Sequence, residues 1–398
     1  MPHVHRPGSA EAEAVAAQLH DEQEENALLD ASPEVFGDVP DAAGGGPLDE
    51  PEDVSPGRGG AFLAAVRLAA RWVPDVQAPL RGLRLEFKPD ALLRVRTDDG
   101  AHVAMARYYP RGGRKYAEPV VLCHGLGANR FTFDFHGRHA LARTLAEQGF
   151  EAWILELRGR GLAGPAPQSS FDRQAKFDVG AALRTVREAG AEGCLWVGHS
   201  KGGMLALAHK GMEPACPIRA IAAVGSPTSF KVQRGLRPFA KVVRPLLSAP
   251  AMPIEKLSRL ALMVPPPDWF MRYLIRPENL DAETRKRALL NVGADVSGQV
   301  GRQFLAWITN GRWQSADRSV DYERGLRNVC VPSLLLAGTH DLLAPPDAVH
   351  HAAEFLGGPV EKELAEGYGH GDLVLGRDAP DDVYPRVTGF LQRNATLL

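Results

Sequence analysis

Val197-Gly198-His199-Ser200-Lys201-Gly202-Gly203 follows the apolar run Cys194-Leu195-Trp196 and precedes Met204-Leu205-Ala206-Leu207-Ala208-His209-Lys210. The first run reads as a buried parallel strand and the second as a helix. Gly198-x-Ser200-x-Gly202 therefore falls on a strand-to-helix turn. Such a turn lifts a serine hydroxyl out of the sheet edge on strained backbone, and its small residues let neighbouring chain pass close. The pentapeptide alone is weak, and its flanks give it meaning. The alternative is a glycine-rich turn that exposes a serine and does nothing more.

A serine hydroxyl is a poor nucleophile at neutral pH and needs a base, and the base needs a third group to fix its tautomer. On a strand–turn–helix scaffold the chain order is Ser, then Asp or Glu, then His, each just after a strand. Val331–Gly338 is an apolar strand, and Asp341 follows it in Thr339-His340-Asp341-Leu342. Val360-Glu361-Lys362-Glu363-Leu364 alternates as a final strand and leads into Gly367-Tyr368-Gly369-His370-Gly371. Ser200, Asp341 and His370 thus stand as nucleophile, orienting acid and base. Singly, Asp341 could cap the next helix and His370 could be a solvated loop residue. An earlier strand, Pro119–Cys123, ends in His124-Gly125-Leu126-Gly127. Acyl transfer develops negative charge on the carbonyl oxygen, and backbone N–H groups must meet it. The expected donors are Lys201 and Leu126, with His124 holding the glycine turn.

The chain resembles the α/β-hydrolase superfamily, in its serine esterase and lipase branch, over roughly residues 92–390. The resemblance rests on the His124–Gly127 loop, the Glu156-Leu157-Arg158-Gly159-Arg160-Gly161 turn, the serine turn and both partners. Residues 129–153 also resemble acid-lipase-like and polyester-synthase-like branches. The synthases are expected to carry cysteine where this chain has Ser200, which favours hydrolysis. Lys201 departs from the Met, Gln or Leu common at its position. Its ammonium either favours anionic substrates or points to solvent.

The 398 residues, 44% apolar and 24% charged, suit one sheet-based domain with an insertion. The expected fold is α/β: a mostly parallel sheet flanked by helices, with a helical cap inserted after the sixth strand. Residues 91–230 and 329–398 form the two parts of the core, and residues 231–328 the cap. Cys123, Cys194, Cys216 and Cys330 have no metal-like spacing and read as small core residues in a reducing compartment. No stretch has bilayer-spanning length, and the start lacks a basic-then-apolar run, so a cytoplasmic protein is expected.

The net charge of −2 hides an asymmetry. Residues 1–53 hold fourteen acids and one arginine, a net of −13, which leaves +11 elsewhere. Residues 1–60 read as a disordered acidic tail, followed by a helix over 62–73 and a lead-in segment to residue 90. From Lys231 to Arg276 nine Lys or Arg face only Glu255 and Asp268. Leu260 to Met271 interleaves apolar residues with them. Trp269 and Phe270 could line an acyl chain, or pack the cap onto the body. Transient contact with an anionic membrane surface fits this composition. Nothing beyond charge suggests nucleic acid.

The expected function is hydrolysis of medium-chain or lipophilic carboxylic esters through an acyl-enzyme on Ser200, with no metal or cofactor. Acyl transfer to another acceptor and a non-catalytic binding module remain the alternatives. Oligomeric state is not readable.

Overall fold

Successive side chains along the central strands feed two separate cores, which dictates a covered sheet. In the computed structural model, which describes residues 82–159, 161–166, 168–231 and 251–398, Val121, Cys123 and Trp196 join one apolar cluster. Val120, Leu122, Leu195 and Val197 join the other. A strand that is apolar on both faces must be buried on both.

The chain opens with the antiparallel pair β1 (Ala91–Arg96) and β2 (His102–Tyr108), turning at Asp98-Asp99-Gly100. Then follow β3 (Val120–Cys123), α1 (Leu141–Glu147) and β4 (Ala152–Glu156). Next, α2 (Phe171–Arg173) runs through a π turn (Gln174–Asp178) into α3 (Val179–Glu188). β5 (Cys194–His199), α4 (Lys201–Met212) and β6 (Ile218–Val224) come next. The insertion between β6 and β9, here termed the cap, adds β7 (Ala251–Met252), α5 (Ile254–Met263), α6 (Asp268–Leu274), α7 (Ala282–Asn291), β8 (Val296–Ser297), α8 (Gly298–Asn310) and α9 (Tyr322–Gly325). The core resumes with β9 (Ser333–Gly338), α10 (Pro346–His350), β10 (Val360–Ala365), α11 (Asp372–Leu375) and α12 (Val383–Arg393).

The eight-stranded sheet has the order β1-β2-β4-β3-β5-β6-β9-β10. β2 pairs antiparallel with β1 and β4, and all later pairs are parallel. α3 and α4 cover one face through Val179, Leu183, Met204 and Leu207. α1 and α12 cover the other through Leu141, Leu145, Val387 and Phe390. The carboxyl ends of β3, β5, β9 and β10 therefore share one rim.

The first described α-helix is short, Leu141–Glu147. It starts at Leu141, because Phe135 N–H bonds His139 O and Ala142 N–H bonds Phe133 O, which closes residues 133–142 into a loop. No side chain caps its first turn.

The acidic tail, the helix over 62–73 and the four cap cations between residues 232 and 250 lie outside the described residues. Of the described cap cations, Lys231 bonds Glu323, Arg259 bonds Glu255, and Arg272 and Arg276 share Glu278. Two of those acids, Glu278 and Glu323, lie past the Lys231–Arg276 window, so several of its cations are paired from outside it. Among the described residues no helix is long and apolar enough to cross a membrane.

Candidate active site

The turn after β5 is held in an unfavourable backbone region by close packing. Ser200 has φ 54° and ψ −120°, a conformation that costs an L-residue on the order of 1–3 kcal/mol. A Cβ on Gly198 would stand 2.1 Å from Gly203 N, and one on Gly202 would stand 1.9 Å from Cys123 O. Only hydrogen fits at either position. Ser200 N–H bonds Val224 O at 2.8 Å, and Trp196 Nε1 donates to Gly202 O at 3.1 Å. These bonds secure the strain from both sides.

His370 Nε2 lies 2.9 Å from Ser200 Oγ, and its Nδ1 lies 2.7 Å from Asp341 Oδ2. The other Asp341 oxygen accepts from Leu343 N–H at 2.9 Å and Ala344 N–H at 2.7 Å. Asp341 thus closes its own turn, and α10 begins beyond it at Pro346. Burial pulls the His370 pKa down, but the Asp341 carboxylate, its hydrogen bond and the Asp372 carboxylate outweigh it, so the net shift is upward. Beneath this ring, His199 Nε2 donates to His370 O at 3.1 Å. Burial and the proximity of His370 drive its pKa to about 3, so it stays neutral.

The loop after β3 lies against the serine. A Cβ on Gly125 would come 3.1 Å from Ser200 Cβ and 3.3 Å from His199 Nδ1. His124 Nδ1 donates to Gly125 O at 3.0 Å, and its Nε2 accepts from Leu157 N–H at 3.4 Å. Burial and Lys201 lower its pKa to about 3. It braces the loop from behind. Leu126 packs beside Met252, Val296 and Val300 of the cap, in a patch that also includes Ile254 and Phe270. The cap holds this loop through Ala294 N–H to Gly127 O at 3.0 Å and Asn129 Nδ2 to Asn291 O at 2.7 Å.

Lys201 contradicts both sequence-based alternatives for its side chain. It is buried, and Nζ donates to Gln174 Oε1 at 2.8 Å. The ammonium faces the π turn rather than solvent or a substrate. Sequence reading missed the groups around it. Arg158 donates Nε to Asp178 Oδ1 at 2.6 Å and binds both Asp99 oxygens, at 2.6 and 2.8 Å. The Arg158 turn stood out in the sequence, but its acids lie 20 and 59 positions away, and nothing in their spacing marks them. Of the two aromatic candidates, Phe270 joins the patch beside Leu126. Trp269 is 54% exposed and meets Phe270 edge-on, with ring centroids 5.9 Å apart. Among the described residues no three His, Cys, Asp or Glu side chains group as metal ligands.

The strand order, the turn after β5 and the cap between β6 and β9 define an α/β-hydrolase fold. The chain belongs to the alpha/beta hydrolase family, whose sequence model matches residues 120–386. It is 24% identical over 312 residues to epoxide hydrolase A of Mycobacterium tuberculosis, covering 70% of this chain and 92% of that one. It is 25% identical over 336 residues to human lipase member K, covering 73% and 84%. Among solved structures, the esterase RhEst1 from Rhodococcus superposes with a TM-score of 0.53 at 21% identity, covering 76% of this chain and 99% of that one. The bromoperoxidase from Bacillus anthracis superposes with a TM-score of 0.55 at 16% identity, covering 76% and 100%.

Proposed function

We propose that this protein hydrolyses carboxylic esters through an acyl-enzyme on Ser200. The observation that carries it is His370, which bonds the serine hydroxyl with one nitrogen and a buried carboxylate with the other. Ser200 Oγ attacks the ester carbonyl as its proton passes to His370 Nε2. Asp341 holds the tautomer and stabilises the imidazolium. The N–H groups of Leu126 and Lys201 meet the oxyanion. The imidazolium then protonates the departing alkoxide. Water, deprotonated by the same histidine, releases the acid and restores the serine. Only a proton and an acyl group move, so the scheme calls for no metal or organic cofactor.

The resemblance to an epoxide hydrolase raises a second chemistry, and the residue at the turn argues against it. A serine that opened an epoxide would be left as an ether, which water does not cleave under these conditions, whereas a serine acylated by an ester is released. The apolar patch around Leu126, Ile254 and Phe270 supports an acyl group of several carbons. Each methylene buried there contributes about 0.8 kcal/mol. Acyl transfer to an alcohol would follow the same first half-reaction.

Incubation with a fluorophosphonate probe, then intact-mass analysis, tests the reading. One adduct on Ser200, abolished in Ser200→Ala, is expected together with turnover of an acyl ester series. A folded protein that neither labels nor hydrolyses any of the esters is a binding module instead.

A further inference from the structure

The histidine loop is rich in glycine, and the cap adds to the hold that the core has on it through His199, Thr339 and His340. Gly367, Gly369 and Gly371 alternate around Tyr368 and His370, and glycine backbone is permissive. The cap segment Leu274–Asn279 lies directly on this loop. A Cβ on Gly371 would stand 3.0 Å from Ile275 Cγ2, and one on Gly369 would stand 3.1 Å from Arg276 Cγ. A side chain on either side of the imidazole would crowd this approach by a few tenths of an ångström.

Five hydrogen bonds join the two segments. Gly371 N–H donates to Leu274 O at 2.8 Å, and Arg377 N–H donates to Asn279 O at 2.8 Å. Asn279 Nδ2 donates to Gly367 O at 2.9 Å and to Asp372 Oδ2 at 2.6 Å. Arg276 N–H donates to Asp372 Oδ1 at 3.1 Å. Asp372 is fully buried, and it also accepts from Gly369 N–H at 2.8 Å. Its carboxylate thus ties the residue before His370 to the cap. The Arg276 guanidinium takes no part, being turned to Glu278.

We propose that Asn279 and Asp372 are positioning residues for His370, so that the seating of the cap sets how well the imidazole serves Ser200. The proposal rests on the ester-hydrolase reading. It adds that α6, whose Phe270 flanks the apolar patch, ends at the carbonyl that holds Gly371. A chain lodged against α6 therefore bears on the segment that fixes the base.

The test uses the full chain carrying Asn279→Ala, a change at a half-buried site, with folding checked by thermal melting. The first readout does not depend on turnover: solvent exchange of the far-downfield His370 Hδ1 proton shared with Asp341, followed by NMR. Exchange roughly tenfold faster or more is expected in the variant, since misplacement of this order loosens a catalytic pair. The second readout is ester turnover, with kcat reduced roughly ten- to hundredfold and KM within about twofold. Asn279→Asp, which sets a carboxylate against Asp372, should lose more. Adding Asp372→Asn should recover part of that loss by restoring a donor–acceptor pair. Unchanged Hδ1 exchange in the variants overturns the proposal, as does a kcat loss the double variant does not recover. If exchange responds but the wild type cleaves no ester, the ester reading fails and the positioning role stands.

Discussion

Lys201 Nζ reaches Gln174 Oε1 at 2.8 Å, which turns the one ammonium adjoining Ser200 into the helix layer. Burial lowers its pKa to about 8, against 10.5 for the free side chain, although Cys123 and Asp178 favour the charge. Between those values the unfolded chain keeps a proton the folded chain has released. The penalty is therefore full below pH 8 and fades as pH rises through 10.5. Lys201→Met removes it, so the variant's stability relative to wild type should fall by on the order of 3 kcal/mol from pH 8 to 10.5. Denaturant titrations across that range read the difference. A gap that does not vary with pH places the ammonium in water.

Ser200 carries strain that the proposed chemistry requires and folding does not. At φ 54° and ψ −120°, glycine is the residue that sits without cost. Ser200→Gly should raise stability by about 1 kcal/mol while removing turnover. Ser200→Ala, equally strained, should remove turnover without that gain. Calorimetry on the three proteins separates the two effects, and a glycine variant no more stable than wild type would falsify the strain account.

The upward shift at His370 fixes the direction of the pH profile. In the proposed mechanism the neutral imidazole is the base, so kcat/KM should fall as pH drops through a value above the ordinary 6.5 or so. Asp341→Asn removes the neighbouring charge and the tautomer control. It should cut kcat by about four orders of magnitude and move the acid limb to lower pH. His199, with its pKa near 3, should add no inflection in that range. A flat profile from about pH 5 to 8, with chemistry rate-limiting, speaks against a histidine base.

Phe270 and Trp269 adjoin in sequence but not in environment. Phe270 shares the patch with Leu126, while Trp269 is more than half exposed. Phe270→Ala should flatten the rise of kcat/KM from acetyl to medium-chain esters, and Trp269→Ala should leave most of it intact. A panel from about two to twelve acyl carbons decides, each buried methylene being worth about 0.8 kcal/mol. A wild type fastest on acetyl esters removes the acyl-pocket reading altogether.

The framework was readable because it is written in local runs. The strand before Gly198, the apolar run before Asp341 and the alternating run before His370 each lie within a short window. What the sequence withheld is pairwise and distant. Asn279 meets Asp372 across 93 positions and Arg158 meets Asp99 across 59, and neither pair has a periodicity to betray it. Lys201 was misread for a related reason. A lysine beside an exposed serine looks solvated until the helix that receives it is known, and that helix departs from α geometry at the residue that bonds it.

The insertion bonds the candidate site at two places, at Gly127 in the loop after β3 and at Asp372 beside His370. It is therefore not a portable module. A chimaera cut at the chain's crossings near residues 231 and 328 would carry a foreign insertion onto two loops shaped for this one. Exchange of substrate range between relatives by cap grafting should succeed only when the loops over 124–129 and 367–377 travel with the insertion. Selectivity and turnover in this chain are then inherited together.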